Sequence, residues 1–548
     1  MTSDSSSQVE MTGPTFDLVV VGSGAAGLMS ALVAARDGAS VHVLERSPLI
    51  GGTTAISGGQ IWTPGNAHME GIGRSDDRIS ALAYLRQVTL ESVDECYLDA
   101  FLSHAAEAMA LIESATPLRL FAVDRPDYHA EWSGARDGRS LEPLPLVHKA
   151  PVGYPPIRRS RYRRPVTSVE ARQDNAAALA DQRERDGVLT QGASLVAGLV
   201  EGCAAAGVTV SANVRLVDLV LVNGQVAGVV VIDEKGGEQR TIRAKAVVLA
   251  SGGFEWNNAL SKAFFGVVPQ LPVSPPWNEG DGLLAGMRAG AQITNMGESW
   301  WTAAVAVPEE VEDGKPAARN IVRELALPGS LMVNRAGRRF VNEASSYNDL
   351  GKAFLQFDPR TCEYPNQRAW LVFDSTFKGR YNVVTTSSTA SPPSWFRQAD
   401  ALAKLAAVMD VPVGEFETTI SVFNERARNG NDDDFGRGHS RHDQFYGDSA
   451  HEPNACLAPL VTPPFFAIPI WLGNLGTKGG LVATVKGEVL RNGDGPIPGL
   501  FACGNVAASW MGLGYPGAGG SLGPILTAAL LCGRAAAQFV GNNDLNPV

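Results

Sequence analysis

Residues 16–46, FDLVVVGSGAAGLMSALVAARDGASVHVLER, set Gly22, Gly24 and Gly27 at GxGxxG spacing between an apolar run and a helical pattern. The chemistry this suits is diphosphate binding. The first glycine permits a tight turn, the second lets a pyrophosphate approach the backbone, and the third allows close helix–strand packing. Helix N–H groups starting at Ala25 and Ala26 then face the anion with a favourable dipole. Glu45 ends a second apolar run about 20 residues later, where a carboxylate accepts from ribose hydroxyls. A second concentration of glycine, GLGYPGAGGSLGP at 512–524, surrounds Tyr515 and Ser521 with bare backbone and runs into a helical pattern.

These residues need particular elements to hold them. LVVV (18–21) suits a buried parallel strand, and VHVLE (41–45) a second. GGTTAISGG (51–59) offers hydroxyls and small residues where a long, bent cofactor would meet backbone. RLVDLVLVNGQVAGVVVID (215–233) reads as a hairpin turning at Asn223–Gly224. AKAVVLASGGF (244–254) reads as a strand ending at Ser251, Gly252 and Gly253, and GLFACGN (499–505) as a strand ending beside Gly504 and Asn505. Helical patterns around 78–115 and 190–206 flank a loop-rich region, 120–185, whose basic run PPIRRSRYRRP (155–165) reads first as a solvated loop.

Length and composition bound the class. A chain of 548 residues, 45% hydrophobic and 19% charged, is a globular protein with more than one core. A net charge of −11 argues against nucleic acid as a partner. Six scattered cysteines without CxxC spacing indicate reduced thiols and no metal site. Residues 1–15 are polar and acidic, an expected disordered tail without signal-peptide character. The most apolar stretch, 522–540, contains Arg534 and reads as a buried helix, so no transmembrane span is expected. A cytoplasmic location follows, with peripheral membrane attachment left open.

The order of these elements resembles the fumarate reductase/succinate dehydrogenase flavoprotein superfamily. The resemblance implies an α/β fold: a Rossmann-like FAD-binding domain with an inserted α+β substrate-capping domain. It divides the chain at 16–307 (FAD domain, first part), 308–476 (inserted domain) and 477–548 (return segment). The cofactor set it implies begins with Gly22, Gly24, Ala25, Ala26, Gly27, Glu45 and Arg46. It continues through Gly52, Thr53, Thr54, Ser57, Gly58 and Gly59 to Val214, Ala250, Ser251, Gly252 and Asp281. Gly504, Asn505, Gly520, Ser521 and Leu522 complete it, Ser521 starting a helix aimed at the flavin. Asp281 reads equally well as a helix N-cap. The histidine of the superfamily's HxMGG-type motif is replaced in Gly476-Thr477-Lys478-Gly479-Gly480, which makes a dicarboxylate substrate unexpected.

Within the superfamily, four stretches resemble 3-ketosteroid Δ1-dehydrogenases: RPDYHAEWSGARDGRSLEPLPL (125–146), GRRFVNEASSYNDL (337–350), FNERARNGNDDDFGRGHSRHDQFYGD (423–448), and GTKGGL together with YPGAG (515–519). The catalytic set implied is Tyr128, Tyr347, Tyr515 and the Gly519 N–H. In it Tyr515 and Gly519 polarise a ketone oxygen. Tyr347, aided by Tyr128 and by positive surroundings, takes the C2 proton, and FAD takes hydride from C1. Taken singly, each tyrosine reads as a packing residue with a satisfied hydroxyl. Trp300, Trp301, Trp395 and Phe373 are the apolar residues expected to suit a flat ring system. The implied partners are a cyclic ketone, first a steroid, and an external quinone-like electron acceptor. The alternatives are a Δ4(5α)-ketosteroid or cyclohexanone-type desaturase, the basic insertion favouring a smaller ketone with a carboxylate, and a non-catalytic electron-transfer flavoprotein subunit.

Overall fold

A computed structural model describes residues 15–266 and 270–544. The expected tail thus lies outside the described residues except for Thr15, which opens the first strand.

The first sheet has a parallel centre. Strand Thr15–Val21 lies between Val41–Leu44 and Arg240–Leu249, with Val20 opposite both Val43 and Val248. Thr209–Ser211 extends it on one side, and Pro496–Ala502 followed by Glu488–Leu490 on the other. Both faces of the first strand are buried, which explains its unbroken apolar sequence. Leu18 and Val20 pack with Leu28, Leu32, Leu526 and Leu530, while Val19 and Val21 pack with Val229, Val247 and Leu249. The second of these layers is covered by the hairpin Val214–Val222/Gln225–Asp233. Its turn residues Asn223 (φ 51) and Gly224 (φ 80) take the left-handed conformations of a type I′ turn.

Helix Ala25–Arg36 packs against the C-terminal helix Leu522–Asp544, close enough that a Cβ on Gly533 would meet the Ser30 carbonyl at 2.6 Å. By length and composition Leu522–Asn542 is apolar enough to cross a membrane, but 61% of its most apolar 18-residue stretch is buried within the protein and Arg534 pairs with Glu107. It is a core helix of this layer.

The second sheet is antiparallel at its centre. Its order is Lys315–Asn320, Ser299–Glu312, Phe465–Thr477, Ala369–Asp374, Ser330–Asn334. Its two longest strands run side by side from the second core back to the first sheet, and Phe465–Thr477 continues through Lys478 and Gly479 into Gly480–Leu481. Three of the four expected ring-binding aromatics belong to this interior. Trp301 and Phe373 are fully buried, and Trp395 packs on Phe396 at 4.6 Å. The large apolar surface of these side chains is accounted for by core packing, so of the four only Trp300 faces a cavity.

Candidate active site

Two connected openings lie at the carboxyl ends of the first sheet's parallel strands, the usual ligand position in such folds. The first is a narrow cleft bounded by Gly22–Ala26, by Glu45 and Arg46, by Gly52–Thr54, and by Ala250–Gly252. Val214, Asp281, Gly504 and Asn505 close it. Thr53, Thr54 and Asn505 are shared with the second, a cavity of about 780 Å³ that also takes Ser57, Gly58, Gly59, Ser521 and Leu522. That volume lies within the ordinary range for small-molecule sites. Gly27 and Gly520 line neither opening. A Cβ on Gly27 would meet the Gly22 carbonyl at 1.9 Å and one on Gly520 would meet Pro516 at 2.7 Å, so both serve close packing.

The cleft fits the diphosphate and ribose end of FAD on its own geometry. Gly22 holds φ +109, and a Cβ there would collide with the Ala250 carbonyl at 2.3 Å. Gly24 is different: its backbone is extended, and the nearest atom to a Cβ is Thr54 Oγ1 at 3.8 Å. Nothing in the fold requires glycine there, and the space it leaves belongs to a ligand at the helix N-terminus. The Ser251 hydroxyl is buried at the cleft without a partner, a polar group that a bound cofactor would satisfy. Glu45 is partly engaged already. It accepts from Ser23 N–H (3.1 Å), Ser23 Oγ (2.6 Å) and Ser47 N–H (2.8 Å), leaving about one of its four lone-pair positions for a ribose hydroxyl.

Asp281 is the first residue of helix Asp281–Arg288 and its cap is Gly280, so it is not the N-cap that the sequence also allowed. Its carboxylate pairs with Arg46 (3.2 Å) and Arg215 (2.9 Å), and Arg46 further contacts Glu234 and Glu279. The basic run is not a solvated loop throughout. Arg158 is 2% exposed and bridges Glu312 (2.9 Å) and Asp313 (2.7 Å) beside the cleft, while Tyr162, Arg163 and Arg164 line the larger cavity. Acidic partners from the second sheet's strand draw Arg158 inward, and they are more than 150 residues away in sequence.

Tyr128, Tyr347, Tyr515 and Gly519 all line the larger cavity, although they come from three distant segments. Tyr128 is in the loop between Leu120–Ala122 and Ser140–Pro143, and its N–H donates to the Pro516 carbonyl at 3.0 Å. The Tyr84 hydroxyl donates to the same carbonyl at 2.6 Å. Tyr347 opens helix Tyr347–Ala353 after Ser346. Tyr515 stands in the glycine-rich loop. Ring centroids are 5.6 Å apart for Tyr128–Tyr347 and 5.3 Å for both pairs with Tyr515. Trp300 packs edge-on against Tyr515 at 5.1 Å.

The three hydroxyls form one network. Tyr347 hydrogen-bonds to Tyr128 and to Tyr515, and Tyr515 also meets Ser521 and the Gly519 N–H. Burial raises all three phenols above the ordinary tyrosine range. Tyr515 is raised less, because hydrogen bonds from Tyr347, Ser521 and Gly519 favour its charged form. Tyr347 is pushed up first by burial and then by Tyr128 and Tyr515. Gly519 adopts φ +91, and a Cβ would meet Gln60 at 2.4 Å, so glycine is required for the loop to bring its N–H here.

Sequence reasoning passed over several residues that shape the site. Lys478 is fully buried, donates to the Gly514 carbonyl (2.8 Å) and the Leu513 carbonyl (3.3 Å), and lies 4.5 Å from the Trp300 ring centre. Burial draws its ammonium below the usual lysine range, opposed by Glu298. His442 packs on Tyr128 at 4.8 Å, and burial followed by the nearby Arg125 pulls its imidazole down to about 3. Arg125, Arg172, Arg323 and Tyr446 line the cavity as well. Only the position of Arg125, three residues before Tyr128, offered a hint of this.

Residues 17–522 match the family described as FAD binding domain. Over 97% of its length the chain is 36% identical to the 4-oxocyclohexanecarboxylate 2-dehydrogenase of Sinomonas cyclohexanicum, covering 94% of that protein. It is 35% identical to a 3-oxosteroid 1-dehydrogenase of Mycobacterium tuberculosis, with 97% and 100% of the two chains covered. The crystal structure of 3-ketosteroid delta1-dehydrogenase from Sterolibacterium denitrificans in complex with 1,4-androstadiene-3,17-dione superposes with a TM-score of 0.88 at 31% identity, covering 96% of this chain and all of that one. With the glycine cradle and the fold in agreement, the chain belongs to the 3-oxosteroid 1-dehydrogenase family of FAD-dependent flavoproteins, oxidoreductases that act on CH–CH bonds.

Proposed function

We propose that the protein introduces a double bond beside the carbonyl of a cyclic ketone, with 1,2-desaturation of a 3-ketosteroid as the leading form of the reaction. The observation that supports this most is the convergence of three phenols, Tyr128 and Tyr515 buried and Tyr347 partly so, and one backbone N–H on a cavity continuous with the FAD cleft. Desaturation next to a ketone needs a polarised carbonyl, a base for the α-proton and a hydride acceptor for the β-carbon. FAD, when bound, supplies the last of these.

Tyr515 and Gly519 act on the ketone oxygen. Tyr515 is the least raised of the three phenols and so the best donor, and the Gly519 N–H lies against its hydroxyl. As the α-proton leaves, negative charge gathers on that oxygen, and both donors strengthen as it does so. Tyr347 takes the α-proton at C2 through its hydroxyl oxygen. Its own proton leaves first through Tyr128, whose phenol feels the charge of Arg125, a cation that eases the transfer. A phenolate with so high an affinity for protons is scarce but strongly basic, which suits a weakly acidic C–H. Trp300 and the tyrosine rings exclude water around the reacting carbons. A quinone-like external acceptor then carries the electrons away.

Smaller ring ketones form the second reading, favoured by the arginines at the cavity and by the name of the cyclohexane-acting relative. The test is product analysis. The FAD-loaded enzyme, a 4-ene-3-ketosteroid and an artificial acceptor should yield the 1,4-diene, two hydrogens lighter. Turnover of monocyclic ketones alone would support the second reading. Failure of every ketone would contradict both and leave the electron-transfer subunit.

A further inference from the structure

Of the five arginines that line the cavity holding the tyrosines, three, Arg125, Arg172 and Arg323, influence one another and have no carboxylate within ion-pair distance among the described residues. Arg125 and Arg172 come from the loop-rich 120–185 region and Arg323 opens the helix Arg323–Ala326. Arg125 is 7% exposed. One of its terminal nitrogens donates to Gln60 Oε1, and its Nε is buried with no partner. The carboxylate that influences it, Glu142, is occupied by Gln60 and Ser168. Arg172 stands at the rim, exposed as a residue but with its guanidinium partly covered, and donates to the Phe445 carbonyl at 3.1 Å. The two guanidiniums flank one ring, Arg125 at 4.8 Å and Arg172 at 4.0 Å from the Phe445 centroid, with Arg125 also 5.6 Å from Tyr446.

An unpaired guanidinium brought out of water costs free energy, and three gathered together repel one another. Arg172 carries the mark of this: burial and then Arg125 and Arg323 draw its guanidinium below the usual arginine range. For the buried Arg125, with its Nε unpartnered, an anion at this cluster would offset that cost, and the exposed Arg172 and Arg323 stand where they can share it. FAD's diphosphate does not explain them, because none of the three lines the cofactor cleft. The forked guanidinium instead matches a carboxylate, which it can hold with two parallel hydrogen bonds.

We infer that Arg125, Arg172 and Arg323 form a carboxylate subsite, so that the substrate is a cyclic ketone bearing an acid group whose ketone is directed to Tyr515 and Gly519. This rests on the ketone-desaturation reading and narrows it. Two sources share the chemistry, a single-ring keto acid and a ketosteroid with a side-chain carboxylate.

The test compares matched pairs on the FAD-loaded enzyme: 4-oxocyclohexanecarboxylate against its methyl ester, and a 3-oxo-4-ene steroid acid against its amide. We expect kcat/KM for the acid to exceed its uncharged partner at least tenfold in one pair, and that pair identifies the source. Arg172→Gln and Arg323→Gln, both at exposed positions, should cut the acid-to-neutral ratio at least fivefold, mainly through KM. Arg125→Lys should cut it as well. Equal turnover of acid and neutral partner in both pairs would overturn the subsite while leaving ketone desaturation intact. A ratio unmoved by all three substitutions would also overturn it. Failure of every ketone to bleach the flavin would refute the desaturation reading, and the subsite with it.

Discussion

The opposite tasks proposed for the chemically alike Tyr515 and Tyr347 rest on a difference in what their oxygens receive. Tyr515 is supported by Tyr347, Ser521 and Gly519, which stabilise negative charge and make it the better donor, while Tyr347 gets no such help and holds its proton tightly. Two outcomes follow. Tyr515→Phe and Tyr347→Phe should each retain bound FAD while slowing flavin reduction by ketone 10²–10⁴-fold, the scale of a lost oxyanion donor or general base, measured by anaerobic stopped flow. The wild-type rate of reduction should rise with pH through the alkaline range, about tenfold per unit while Tyr347 remains mostly protonated. The sign follows from its raised affinity for the proton: a phenol held above the ordinary range of about 10 is still neutral at pH 9. A rate that is flat from pH 7 to 10 would count against Tyr347 as the base.

The elements that present these residues are fixed by close backbone approaches. The glycine-rich loop is held by Tyr84 and Tyr128 on the Pro516 carbonyl and N-terminally by Lys478 and Lys352 on the Leu513 and Gly514 carbonyls. Lys478→Met keeps the length of the side chain but removes the donor, leaving a buried carbonyl unpaired at a cost of about 1–3 kcal/mol. It should raise KM and lower kcat for ketones with unchanged flavin content. At the first βα turn two glycines should behave differently. Gly24→Ala should fold with little change in Tm but purify without yellow colour, since only the ligand needs that space. Gly27→Ala should lose stability itself, because its Cβ would strike the Gly22 carbonyl. In the helix Arg441–Tyr446, His442 is held neutral by burial, its imidazole pulled from 6.5 to about 3. The unfolded chain binds this proton at higher pH than the folded one, so stability falls as pH drops from about 6.5 towards 3. His442→Gln should flatten that acid limb in thermal melts.

For the whole molecule, much was legible in sequence because the cofactor half is built from local signals. A GxGxxG turn, a buried strand and an Asn–Gly hairpin each declare themselves within about 30 residues, and the observed sheet contains all of them. The tyrosines were found through resemblance, and their meeting depends on packing that unites residues more than 380 positions apart, as with Tyr128 and Pro516. Local pattern cannot supply that. It likewise failed for the aromatics, where Trp300 and Trp301 share a strand and point to opposite sides, one to the cavity and one to the second core. Arg158 and Lys478 were misjudged or missed because a buried cation looks in sequence like a solvated one, and only distant partners reveal its burial.

The central claim is that a cyclic ketone held by Tyr515 gives a proton to Tyr347 and a hydride to the flavin that the cleft would hold. It is tested most directly by anaerobic titration of the yellow enzyme with a 4-ene-3-ketosteroid and with 4-oxocyclohexanecarboxylate, following flavin absorbance. The account predicts that at least one ketone bleaches wild-type flavin within seconds while the Tyr515→Phe and Tyr347→Phe proteins, equally loaded with FAD, remain yellow over the same time. Bleaching of the variants at the wild-type rate, or no bleaching of the wild type by any cyclic ketone, would contradict it.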